Sequence, residues 1–268
     1  MQADMGAELL SINRFVVKGL SPEPMHRVQL NAGRAIENDR RYALALADTA
    51  FDDADPHPLP KTRFAMLARH ARLIELQSAY DAASTMLTLD RGGERLACGR
   101  LDEASGRSSI EKAIEEFLGE TIAGRPRVVQ AQGHRFTDVS VVSPAMMEAV
   151  SLVNLASVRA LESKLGVGVD VRRFRANFVV DGLAPWVEFD WIDKTIQIGE
   201  VALQGARRIR RCAATEVNPE TGARDIALPE ELHRHFGHAD MGVYLYVRSD
   251  GAIAPGDALT PAHAETAS

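Results

Sequence analysis

Apolar residues along this chain gather in short runs separated by turn-forming residues, the pattern of a β-rich body with peripheral helices. Loose alternation predicts strands over residues 10–18, 25–30 and 42–46, with breaks at 19–24 and 31–34. Residues 52–60 form a loop, because Pro56, Pro58 and Pro60 remove donors and fix φ. A helix is expected over 63–68, and runs at 73–76, 85–89 and 94–98 predict a meander of strands. Ser108 or Ser109 caps a helix over 110–118, where Glu111 and Glu115 suit its positive N-terminal end.

Residues 119–133 carry Gly124, Pro126 and Gly133 and lack a sustained period, so they divide the chain. Two units are expected, residues 10–120 and 134–260. In the second, 139–142 predicts a strand and Pro144 opens a helix. Another helix over 157–165 places Val158, Leu161 and Leu165 on one face and ends at Gly166. Strands follow at 174–180, 195–198, 201–206, 208–213 and 242–247, and the small, polar residues 257–268 are expected to fray. The fold class is therefore mainly β with peripheral helices (α+β).

Composition narrows the function more than the fold. The chain has 268 residues, 46% hydrophobic and 25% charged, and a net charge of −6. That balance disfavours nucleic-acid binding. Yet Arg172, Arg173, Arg175, Arg207, Arg208, Arg210 and Arg211 cluster in two runs, a local positive patch that suits a small anion. Two cysteines, Cys98 and Cys212, are too few for a thiolate-held iron–sulfur cluster or a Cys-rich structural zinc site. Low cysteine use fits a reducing compartment. Acidic residues Asp4 and Glu8 stand where a leader peptide would be basic, and no apolar run approaches membrane-spanning length. A soluble, cytoplasmic protein is expected, with no membrane or nucleic-acid partner.

Read as a strand, residues 172–180 put Arg173, Arg175 and Asn177 on one face, a donor array for phosphate or a heterocycle edge. By the same alternation Arg208, Arg210 and Cys212 share a face. Positive neighbours favour the thiolate, the form that attacks electrophiles and binds soft metals. The four nearby arginines favour a functional Cys212 over a small buried apolar residue. Cys98 has no such surroundings and is assigned a structural role. His233, His235 and His238 are expected at a solvated helix end rather than on a metal. Glycine-rich phosphate loops and a defensible Ser-His-Asp order are both missing.

The elements Arg172-Arg173-Phe174-Arg175-Ala176-Asn177, Arg211-Cys212 with Thr215, Asn218-Pro219-Glu220-Thr221-Gly222, and Gly251 to Asp257 resemble the MOSC domain. That domain is shared by molybdenum cofactor sulfurases and amidoxime-reducing components. Phe15-Val16-Val17-Lys18-Gly19 and Asn38-Asp39-Arg40-Arg41 resemble the β-barrel domain that precedes it, so the resemblance covers residues 10–260. It implies a MOSC-type β-barrel packed with an N-terminal β-barrel-like domain, and binding of the molybdenum cofactor, a phosphorylated pterin whose dithiolene holds the metal. Cys212 matches the molybdenum-ligating cysteine of the reductases. Lys18, Arg40, Arg173, Arg175, Asn177, Arg211 and Thr215, and less closely Ser157, match positions around the cofactor. Gly19 and Ala176 depart from the usual serine and proline. The resemblance further implies reduction of N-hydroxylated small molecules with electrons from a separate donor protein. The alternative is a sulfur-carrier or cofactor-binding module that uses a Cys212 persulfide without redox turnover.

Overall fold

Strands form where apolar side chains bury on alternate positions, and the computed structural model describes residues 6–261. In the first half they are β1 (Glu8–Arg14), β2 (Glu23–Met25), β3 (Val28–Leu30), β4 (Ala43–Ala45), β5 (Leu76–Asp81), β6 (Met86–Arg91), β7 (Glu94–Arg100) and β8 (Arg127–Val129). The second half adds β9 (Val150–Asn154), β10 (Phe178–Asp181), β11 (Thr195–Ile198), β12 (Val201–Arg210), β13 (Asp240–Val247), β14 (Gly251–Ile253) and β15 (Leu259–Pro261). Helices α1 (Ala104–Leu118), α2 (Pro144–Met147), α3 (Leu155–Leu165) and α4 (Leu228–Phe236) lie between them. The mainly β architecture with few helices is the one expected.

An eight-stranded sheet runs β15-β11-β12-β13-β9-β10-β1-β2. Its neighbours pair antiparallel except β9 and β10, which are parallel and joined through α3. A strand from the start of the chain is thus hydrogen-bonded into the sheet of the second half, with Ile12 opposite Phe178. Leu9, Ile12, Leu152, Phe178, Leu203 and Leu245 form its core. Strands β5, β6 and β7 make a separate three-stranded sheet. Helix α1 lies on it through Ile110, Ile114 and Leu118, four residues apart and therefore on one face. Each of these burials contributes roughly 1.5–3 kcal/mol. The contact is so close that a Cβ on Gly106 would meet Arg100 O at 2.2 Å.

Several local expectations give way to packing. The helix over 63–68 is absent. A 3-10 turn at Lys61–Arg63 leads into extended chain, with Phe64 bridged to Ala45 and buried among Phe51 and Phe136. Residues 139–142 form a turn, not a strand, and Val141 and Val142 stay 52% exposed because they have no sheet to enter. The stretch 25–30 splits between β2 and β3, which lie in different sheets. Residues 71–75 are a 3-10 turn, so the meander begins at Leu76. Helix α1 starts at Ala104, earlier than a Ser108 or Ser109 cap. The runs 201–206 and 208–213 merge into one strand, β12, which ends at Arg210 and is irregular between Gly205 and Arg207 and between Arg208 and Arg210. At the end, β15 pairs with β11 instead of fraying, while the expectations for residues 1–5 and 262–268 lie outside the described residues. Among the described residues no helix is long and apolar enough to cross a membrane.

Candidate functional site

The pairing of β1 with β10 carries residues 15–19 alongside residues 175–177. Asn13 N donates to Asn177 O at 2.7 Å, and Lys18 N donates to Tyr42 O at 2.8 Å. A cleft of about 360 Å³ opens where these segments meet the end of β12. Lys18, Arg40, Lys61, Arg173, Arg175, Arg207, Arg208, Arg210 and Arg211 line it, against the single carboxylate of Asp138. Cys212, Asn177 and Thr215 line it as well. Eight of the nine site residues expected from the sequence are therefore brought together, and Ser157 is not.

Cys212 follows β12 in extended conformation and caps the 3-10 turn Ala213–Glu216. Its carbonyl accepts from Thr215 N and Thr215 Oγ1, both at 2.9 Å, so Thr215 holds the backbone that presents the sulfur. The thiol is free and half-buried. Lys61 Nζ donates to Cys212 Sγ at 3.2 Å and to Asp138 Oδ2 at 3.2 Å. Asp138 also pairs with Lys18, whose Nζ donates to Phe136 O at 3.1 Å. Burial pulls Lys18 below its ordinary value, with Asp138 opposing. Burial acts the same way on Lys61, but Asp138 and the Cys212 sulfur outweigh it and push Lys61 up. Burial would raise Asp138, yet the two ammoniums hold it well below the usual carboxylate range.

Arg40 and Arg175 lie over Phe15, each with its guanidinium carbon 4.5 Å from the ring centroid. Arg40 pairs with Asp39 and donates to Arg175 O at 3.1 Å, while Arg175 donates to Leu20 O at 2.7 Å. Burial, reinforced by repulsion from Arg40, lowers Arg175 to about 9. Burial lowers Arg211 to about 10. An anion in the cleft would offset this unfavourable crowding of cations.

The remaining expected residues are held by the protein's own polar groups. Residues 171–174 are a 3-10 turn capped by Asp170, not a strand, and Arg175 has a φ of 50°. Arg173 therefore turns away from Arg175 and grips Asp225 at 2.7 and 2.8 Å and Glu216 O at 2.9 Å, which fixes the turn after Cys212. Arg211 binds Met241 O and Phe174 O, each at 2.8 Å. Asn177 is fully engaged: its Nδ2 donates to Asn13 O and Asp39, and its Oδ1 accepts from Ser151. Ser157 is 0% exposed; its hydroxyl donates to Glu188 at 2.8 Å and accepts from Trp186 N at 2.8 Å. The start of α3 points it into the buried space under Trp186 instead of towards the cleft.

Sequence reasoning missed Lys61, Asp138, Tyr244 and Thr137. Lys61 follows the proline loop and Asp138 precedes an irregular turn, so neither lies in a periodic segment that would flag it. Thr137 Oγ1 is buried at the cleft without a hydrogen-bond partner. Cys98, assigned a structural role, is exposed on β7. The histidine cluster ends α4 with His233 and His235 exposed, and among the described residues no group of three or more His, Cys, Asp or Glu could hold a metal.

Comparison with known proteins agrees on the second half. Residues 132–260 match the model of the MOSC domain. The chain is 28% identical over 145 residues to mitochondrial amidoxime-reducing component 1 of Xenopus laevis, covering 50% of this chain and 42% of that one. It is 31% identical over 119 residues to the molybdenum cofactor sulfurase of Drosophila mojavensis, covering 43% of this chain and 14% of that one. The matches thus span less than half the length of either relative. Among solved structures, the YuaD protein of Bacillus subtilis overlaps 95% of this chain and 94% of its own with a TM-score of 0.41 at 12% identity. Cys212 and its arginines lie inside the segment, residues 132–260, that matches the MOSC domain.

Proposed function

We propose that the cleft binds the molybdenum cofactor and that the protein reduces N-hydroxylated small molecules with electrons from a separate donor protein. One observation carries this reading: an accessible sulfur, Cys212, sits in a cleft lined by nine cationic side chains and one carboxylate. The donor set fits the group, since a thiolate suits a soft metal and buried cations suit a phosphorylated pterin. Thr137 Oγ1, a buried polar atom without a partner, is a further contact point. The name of the Xenopus relative, an amidoxime-reducing component, supports the substrate class.

Lys18, Arg40 and Arg175 would hold the phosphate and pterin, and Cys212 would supply the protein's ligand to the metal. Asn177, Arg173, Arg211 and Thr215 position those groups from behind. When bound, the cofactor supplies two-electron redox chemistry at the metal. The overall reaction breaks the N–O bond, consumes two electrons and two protons, and releases the hydroxyl oxygen as water. The chain's part is orientation and proton supply. Lys61 Nζ bonds Cys212 Sγ and can hold a proton there, while the Asp138 carboxylate orients its ammonium. The free thiols of Cys98 and Cys212 support a reducing, cytoplasmic setting.

The match to a molybdenum cofactor sulfurase favours a second reading, in which Cys212 carries sulfur as a persulfide. Elemental and pterin analysis of protein made in a cofactor-competent host separates the two. Stoichiometric molybdenum, with amidoxime reduction abolished in Cys212→Ala, is the expected result. Metal-free protein carrying cyanide-labile sulfur on Cys212 would replace the reductase with the carrier.

A further inference from the structure

The cations of the cleft fall into two classes. Lys18, Lys61, Arg40 and Arg173 each have a carboxylate partner, and Arg175 and Arg211 are bound to backbone carbonyls. Arg208 lies over Phe189, 4.4 Å from the ring centroid. Arg207 and Arg210 differ. Both are exposed at the rim of the cleft, and among the described residues neither side chain has an ion-pair or hydrogen-bond partner. Arg207 stands opposite Tyr244, a cleft residue, so its side chain leaves β12 on the cleft side.

An apolar lip shares this rim. Val139 and Val142 line the cleft from the turn that follows Asp138, together with Met66 and Leu67. Val141 and Val142 are 52% exposed, among the most exposed large apolar residues described. Val142 is thus a half-exposed apolar side chain lining the same cleft as the unpaired Arg207 and Arg210, a place for the apolar part of a ligand.

We infer that the rim selects substrates with an apolar body and an anionic group, a carboxylate or a phosphate, whose N-hydroxylated end points at Cys212. The inference rests on the reductase reading of the cleft and narrows its substrate class. The apolar body lies against Val139 and Val142, and the anion meets Arg207 and Arg210. A neutral substrate gains nothing from the two arginines, and a cationic one is repelled.

Benzamidoxime and para-carboxybenzamidoxime test this, since they differ by one anionic group. Binding of each to the purified protein is measured calorimetrically at low and at high salt. The carboxylated probe is expected to bind about tenfold more tightly at low salt, with the preference lost at high salt. In the Arg207→Gln/Arg210→Gln variant the ratio of the two affinities should fall to about one. Val142→Asp should weaken both probes. Equal affinities in the unaltered protein, or a preference that survives in the double variant, overturns the inference. Should the double variant melt early, the single variant Arg207→Gln, at an exposed residue, takes its place and should lessen the preference. Reduction of both probes is scored separately. A charge preference without reduction counts against the reductase reading alone, and reduction without charge preference counts against the rim alone.

Discussion

Lys61 Nζ lies 3.2 Å from Cys212 Sγ, a contact between residues 151 positions apart. It joins a turn of the first half to the MOSC-matched segment at the atom on which the proposed chemistry depends. The same ammonium bonds Asp138, which in turn bonds Lys18. The environment of the sulfur is therefore built by both halves of the chain.

Lys61→Met should fold normally, because Lys61 is at the cleft and not in a core, but should retain less molybdenum. A charge-assisted hydrogen bond contributes about 1.5–3 kcal/mol, so occupancy after dialysis should fall by tenfold or more at limiting cofactor. Full occupancy in the variant would remove Lys61 from the site.

Asp138→Asn tests the sign of a pH dependence. The folded-state value of Asp138 is depressed, because Lys18 and Lys61 outweigh the effect of burial. Its stabilising contribution is therefore present above the ordinary value of 3.8 and is lost as pH falls through the lower folded value. The unaltered protein should melt above the variant at neutral pH, and the gap should close on acidification below 3.8. A gap that widens in acid would contradict the assigned pairing.

Ser157→Ala should separate structure from site. It leaves Trp186 N without its acceptor and Glu188 without one of its donors, at a cost of about 1–3 kcal/mol. Chemical denaturation should register that loss, and molybdenum content should stay unchanged. Loss of the metal with stability intact would return Ser157 to the cleft.

Gly19→Ser would restore the residue usual in the reductases, yet it should destabilise this protein. Gly19 has a φ of 88°, and a Cβ there would stand 2.9 Å from Ala65 O. The left-handed conformation alone costs an L-residue roughly 1–2 kcal/mol. Thermal melting of the variant checks this, and an unchanged melting temperature would show that the backbone at Ala65 can yield.

Asp225→Ala should cost about 3 kcal/mol, because it strands the buried guanidinium of Arg173. Equilibrium unfolding measures it, and a cost near zero would show that Arg173 is hydrated.

Local chemistry was legible in the residues wherever it depended on neighbours in sequence. Alternation revealed β1, β4, β11 and most of the meander, and Gly166 marked the end of α3 through its left-handed cap. The arginine runs and Cys212 pointed to a cationic cleft that holds a sulfur, and the structure brings them together there. Packing overruled the same signals elsewhere. Residues 63–68 have helical spacing, but Phe64 gains more by bridging Ala45 and burying against Phe51 and Phe136. The run at Arg172–Asn177 alternates like a strand, but the Asp170 cap and the Arg173–Asp225 pair wind it into a turn.

The residue types alone determined that this chain makes short strands, carries clustered guanidiniums and keeps one thiol among them. Only the tertiary structure decided which cations face the cleft and which serve as struts, that Ser157 lies elsewhere, and that Lys61 stands at the sulfur with Asp138 on its ammonium. The physical reason is range. Periodicity and capping act over a few residues, whereas the site is assembled by the β1–β10 pairing and by charges that meet across the chain, which no local pattern encodes.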